Sequence, residues 1–173
     1  MTAPSPTVRD ETPSDVDAIR RVVLSAFPTP LESRLVDRLR ENGRLTISLV
    51  AESGGHVVGH IAFSPVTVAG SDTGGLGLAP LSVAPECQII GIGGALVRAG
   101  LDMCRRLGVP FAVVLGEPDY YRRFGFLPAA TRGLFDAYGG GDAFAAIELA
   151  PRGIPGGGRV DYVPEFSEFT DAA

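Results

Sequence analysis

The stretch Ser82–Val97, SVAPECQIIGIGGALV, decides how the rest of the chain is read. It sets Gly91, Gly93 and Gly94 within four positions, with two isoleucines ahead of them and an apolar run behind. The preceding LGLAPLSV (Leu76–Val83) has strand character, and an amphipathic helix follows the glycines. In a strand, glycine-rich turn and helix, the first helical N–H groups have no intrahelical acceptor. Together with the helix dipole they attract an anion. Glycine has no Cβ, so a phosphate can come close to those amides. The same glycines would also serve a plain tight turn, and the turn alone leaves both readings open.

Two nucleotide motifs can be tested on the letters. A dinucleotide fingerprint needs a third glycine three residues after Gly93, where Leu96 stands. A phosphate loop needs a lysine, and all 15 basic residues are Arg. The missing lysine also excludes Schiff-base chemistry.

Working outward, the elements alternate. Thr12-Pro13-Ser14-Asp15 predicts a helix start, with Val16, Ile19, Val23 and Ala26 at helical spacing. Thr29-Pro30-Leu31-Glu32 repeats the device, with Glu32 placed for a capping box, Leu31, Leu35 and Leu39 as the apolar stripe and Gly43 as the stop. Strands are predicted over Thr46–Glu52 and Val57–Val68, joined through Ser53-Gly54-Gly55, and a turn at 71–75 leads into Leu76–Val83. Pro80 cannot donate to a ladder, which predicts a bulge or a local break from a neighbouring strand. The helix after the glycines shows Arg98, Asp102, Arg105 and Arg106 to water and buries Leu96, Gly100, Met103 and Leu107. Phe111–Leu115 reads as a central buried strand, 117–126 as a short helix and turn, and 142–150 as another strand. Pro151–Gly158 reads as a flexible loop, and Arg159–Phe166 as a last strand or docked tail.

Composition bounds the function. The 173 residues carry a net charge of −5, which argues against a nucleic-acid or anionic-membrane surface. Cys87, Cys104 and two distant histidines offer no zinc spacing, so no metal is expected and the thiols are read as free. The N-terminal stretch has no signal-peptide pattern, and no apolar run is long enough for a membrane span, which places the protein in the cytoplasm. One α/β domain over 1–173 is expected, with its core at about 7–150 and a loop and tail from 151.

Gln88-x-x-Gly91-x-Gly93, with Leu81-Ser82-Val83 before it, FAVVL after the helix and Tyr120–Phe126 (YYRRFGF) beyond, resembles the GNAT family of acetyl-CoA-dependent N-acetyltransferases. The resemblance implies an acyl-CoA N-acyltransferase fold, a central mixed and mostly antiparallel sheet flanked by helices. It implies acetyl-CoA as cosubstrate and a small or peptide amine as acceptor, with a homodimer open. By position it assigns the diphosphate to the main chain of Gln88, Ile89, Ile90, Gly91, Ile92, Gly93 and Gly94. Leu81, Ser82 and Val83 fall where the pantetheine arm pairs like an added strand. Tyr121 falls where a tyrosine protonates the departing sulfur, with Tyr120 as its fallback, and Arg122 and Arg123 are candidates for cofactor phosphate. Ile89 and Ile90 depart from the small or polar residues usual there, and Cys87 from a frequent aromatic.

An amine with a pKa of about 10 must lose a proton before it attacks a thioester. Glu117, after the buried strand, is the candidate base. Glu52 and His60 could act through water, Glu86 reads as solvated, and His60 on an apolar strand reads first as a core residue. The activity expected is direct acetyl transfer in a ternary complex. The alternative is a protein of the same fold that binds CoA as a sensor or partner. The tail would cover the acceptor cleft or meet another subunit.

Overall fold

The computed structural model describes residues 5–171, with side chains as far as Phe169, so the first residues of the N-terminal stretch and the last of the tail lie outside the described residues. The chain forms two compact units. One takes in the residues up to Phe63 together with Pro80–Leu101, the other Ser64–Ala79 together with the residues from Asp102 onward.

In the first unit β1 (Thr7–Asp10) pairs antiparallel with β2 (Ile47–Ser53), and β2 with the first part of β3 (His56–Val68). A 3-10 turn at Pro13–Asp15 leads into α1 (Val16–Ala26). Its start is closed as the sequence predicts, for the Asp15 carboxylate accepts the Thr12 N–H at 2.7 Å. Ile19 and Val23 of α1 pack with Val50 of β2 and with Val36 of α2 (Leu31–Glu41). The second helix start departs from expectation. Pro30, not Thr29, occupies the cap position, and the Thr29 hydroxyl accepts the Leu31 N–H at 3.4 Å from one residue further out. With the cap shifted by one residue, Glu32 no longer sits where a capping box would place it.

The strand β4 (Ser71–Val83) ends in this unit, and α3 (Ile92–Arg106) begins there. Ile92, Leu96, Val97, Leu101 and Cys104 form the buried stripe of α3, whereas Leu107 is 56% exposed. Leu107 lies past the last helical residue, where Gly108 turns the chain at φ +74° and hands burial to Val109.

In the second unit β4 runs parallel to β5 (Phe111–Leu115) from Leu76 to Leu78, and β5 is antiparallel to β8 (Phe144–Glu148). The short β6 (Leu127–Pro128) pairs with β8. The expected turn at 71–75 is strand. The chain reverses instead at Ala69-Gly70, both at positive φ, and β4 starts at Ser71. Its β5 partners end at Leu78, two residues before Pro80, the break that Pro80 predicts.

The tail is structural. β9 (Gly158–Tyr162) pairs antiparallel with Val66–Val68 of β3 and parallel with β7 (Leu134–Asp136), and Phe166 is buried beyond it. The segment expected as a flexible loop is held down. Gly153 N–H donates to Ala150 C=O and Gly158 N–H to Gly133 C=O, both at 2.9 Å, and Ile154 is 8% exposed. Between these elements lie α4 (Pro118–Arg122) and, after the tail strand, α5 (Ser167–Asp171). The strands belong to one mixed sheet, antiparallel except at β4–β5 and β7–β9, flanked by helices.

Candidate active site

The turn between β4 and α3 is built by main chain. A 3-10 turn at Pro85–Cys87 follows the strand, and Gln88 then closes the bend by donating its side-chain amide to the Val83 carbonyl at 3.0 Å. Ile89 and Gly91 take φ of +74° and +88°, with Ile90 outside the left-handed region between them. Alternation of this kind turns successive N–H groups toward one side and makes an anion-binding concavity. The bond from Ala95 N–H to Gly91 C=O, at 3.0 Å, opens the helical ladder and leaves the amides just ahead of it without an intrahelical acceptor. A Cβ on Gly91 would meet nothing within 4 Å, so the concavity is open.

Gly59 of β3 seats this helix start. A Cβ there would lie 2.9 Å from Leu96 Cδ1, 3.1 Å from Ile92 Cγ2 and 3.2 Å from the Ser82 carbonyl. An isolated glycine inside a strand pattern is the sequence mark of such a close approach. Leu81 and Val83 are half-buried, on the stretch of β4 beyond its last β5 partner. Ser82 is 1% exposed, and its hydroxyl has no hydrogen-bond partner among the described residues. Open amides, free space at Gly91 and a strand end beyond its β5 partners suit a diphosphate joined to an extended arm.

In the second unit Tyr121 sits on α4, directly after β5. Its ring packs edge-on against Tyr120 at 5.0 Å and against Phe126 at 5.7 Å. Gly116 makes room for it, since a Cβ there would stand 2.5 Å from Tyr121 Cε2. Burial, with Tyr120 adding to it, raises the Tyr121 pKa well above that of an ordinary phenol. No hydrogen bond engages its hydroxyl among the described residues. Glu117 is exposed at the cap position of α4, and its carbonyl accepts the Tyr121 N–H at 3.2 Å.

The other candidates for the base are engaged or buried. Glu52 accepts two bonds from Arg9, at 2.8 and 3.1 Å, and Arg9 also forks onto Asp15 at 2.7 and 3.0 Å. His60 is fully buried, its Nε2 lies 2.8 Å from Ser48 Oγ, and burial lowers its pKa to about 3. It is a neutral core residue. Glu86 is exposed, on the rim of a cavity of about 490 Å³ in the first unit that Arg9, Asp15 and Glu52 also line. The Arg123 guanidinium lies over the rings of Tyr120 and Phe124 at 5.4 and 5.5 Å, and Arg122 stands 3.8 Å from Asp119. Both cysteines are free, and burial pushes the Cys104 thiol up to about 12, which makes it inert. No group of three or more His, Cys, Asp and Glu among the described residues could hold a metal ion.

The fold is that of the GNAT class of acetyltransferases. Residues 7–129 match the acetyltransferase (GNAT) domain, and the chain belongs to that family. YhbS of Escherichia coli (strain K12), an uncharacterised N-acetyltransferase, is 39% identical over 165 residues, 94% of this chain and 99% of YhbS. The crystal structure of E. coli YhbS in complex with CoA matches with a TM-score of 0.92 at 38% identity, over 98% of this chain and 97% of that one. A GNAT family acetyltransferase from Brucella melitensis in complex with acetyl-CoA matches with a TM-score of 0.80 at 41% identity, over 94% and 98%. Among the described residues no helix is long and apolar enough to cross a membrane.

Proposed function

We propose that this chain moves the acetyl group of acetyl-CoA onto a primary amine, by direct attack while both substrates are bound. The turn at Gln88–Gly94 carries the proposal. Its alternating backbone and open helix start form an anion cradle, in a chain similar to proteins that hold CoA and acetyl-CoA. The main chain from Gln88 to Gly94 holds the diphosphate, and the strand edge at Leu81–Val83 receives the pantetheine arm. The amine nitrogen bonds to the thioester carbon and gives up a proton to water, with Glu117 as the side chain proposed to receive it. The carbon–sulfur bond breaks, and the sulfur takes the phenolic proton of Tyr121, which solvent restores. A phenol that stays protonated and whose hydroxyl makes no hydrogen bond among the described residues is suited to that donation. The whole of 1–173 is read as one GNAT domain acting in the cytoplasm.

The test is release of free thiol from acetyl-CoA across a panel of amines. Acceptor-dependent release establishes the enzyme. Tight acetyl-CoA binding with no such release favours a CoA-binding sensor. One observation speaks for that second reading, since Glu52 is engaged by Arg9, His60 is buried and neutral and Glu117 is exposed, so that none of these three candidates is a buried base open to the amine.

A further inference from the structure

Ile89 is the least expected residue of the turn. Its φ of +74° is a region that β-branched side chains avoid, because Cβ crowds the backbone there. Its side chain is fully in water, at 104% exposure, and that of its neighbour Ile90 is 69% exposed. Glycine or asparagine would take the same backbone at little cost, so the shape of the turn does not call for isoleucine. Among the described residues no packing covers the Ile89 side chain to compensate for the strain. Strain of this kind that persists at a site points to a ligand. Nor does charge supply a side-chain grip, since neither Lys nor Arg occurs between Ser82 and Val97.

The ligand surface these side chains fit is apolar and attached to the anion in the turn. CoA has such a surface, because its diphosphate is joined through one ribose to adenine, whose flat face is apolar. We propose that Ile89 and Ile90 form an apolar clip for the adenosine end of CoA, so that the side chains of the turn hold the nucleoside while its main chain holds the diphosphate. The inference rests on the reading that the turn holds CoA.

Calorimetric titration with CoA and with pantetheine 4′-diphosphate, which keeps the diphosphate and lacks the 3′-phosphoadenosine, tests the clip in the wild type, Ile89→Asn and Ile90→Ser. Each substitution is expected to weaken CoA about tenfold, the effect of losing much of one buried aliphatic side chain, and to leave pantetheine 4′-diphosphate unchanged. Ile89→Asn should at the same time raise the melting temperature of the ligand-free protein by about 2–4 °C, because asparagine tolerates the left-handed backbone. A more stable protein that binds CoA less well is not the outcome of a merely structural role.

Equal CoA affinity in wild type and variants overturns the clip, and assigns the isoleucines to some other surface. Equal weakening of both ligands also overturns it, because the turn itself would then have been damaged. A wild type that binds neither ligand overturns the reading of the turn as a CoA site, and that result is distinct from a wild type and variants that bind CoA alike.

Discussion

Tyr121 concentrates the chemistry proposed here in one hydroxyl. Replacing it by Phe keeps the ring that packs on Tyr120 and Phe126 and removes only the proton donor. Turnover should fall by about 10²-fold, the lower end for a general acid, while the melting shift induced by acetyl-CoA stays as in the wild type. Unchanged turnover would remove Tyr121 from the mechanism. Because burial raises the phenol pKa, the wild-type rate should climb with pH as the amine deprotonates and show no decline around the ordinary phenol value of about 10. A decline centred there would mean that the hydroxyl titrates as if exposed. Asp15 makes a different kind of prediction, about stability. Its pairing with Arg9 holds its folded pKa below the unfolded value. The stabilisation is therefore present above the unfolded pKa of about 3.9 and is lost as pH falls through the folded one. Arg9 is 37% exposed, so solvent screening limits the effect. Asp15→Asn should cost about 1 kcal/mol at pH 7 by urea unfolding, and the difference should shrink below pH 4.

At the scale of elements, the start of α3 depends on a strand residue without a side chain. Gly59→Val would drive atoms into Leu96, Ile92 and the Ser82 carbonyl, and overpacking of that kind costs about 1–3 kcal/mol. The helix start is what must move, so the acetyl-CoA melting shift should fall by more than the melting temperature of the ligand-free protein does. A shift equal to that of the wild type would show that the cradle is seated by other contacts. The elements also show what the letters reveal and what they hide. Pro80 announces the end of β4–β5 pairing because a missing donor is a local fact. The shift of the α2 cap from Thr29 to Pro30 is not legible, since Thr-Pro-Leu-Glu allows either residue as the cap. β6 and β7 are two and three residues long and carry no periodicity to read, and their partners β8 and β9 lie well downstream.

For the whole molecule, acetyl-CoA at about 100 times its dissociation constant should add about 2.7 kcal/mol of stability. In a chain of this length that is a rise in melting temperature of about 5–10 °C. The absence of a rise would mean that the glycine turn is only a turn. By itself the sequence determined the order of the main elements and the α/β class, and it singled out the glycine turn and Tyr121 as candidates, because these rest on local chemistry: glycine spacing, apolar periodicity and a motif read in order. Only the tertiary structure decided that Glu52 is spent on Arg9, that His60 is a neutral core residue, that the tail is a strand between β3 and β7, and that Ile89 stands strained in water. The pairing of Arg9 with Glu52 and the burial of His60 are contacts made across long separations in the chain. The conformation of Ile89 is set by how β4 and α3 are anchored on either side of it, which no local pattern of residues records.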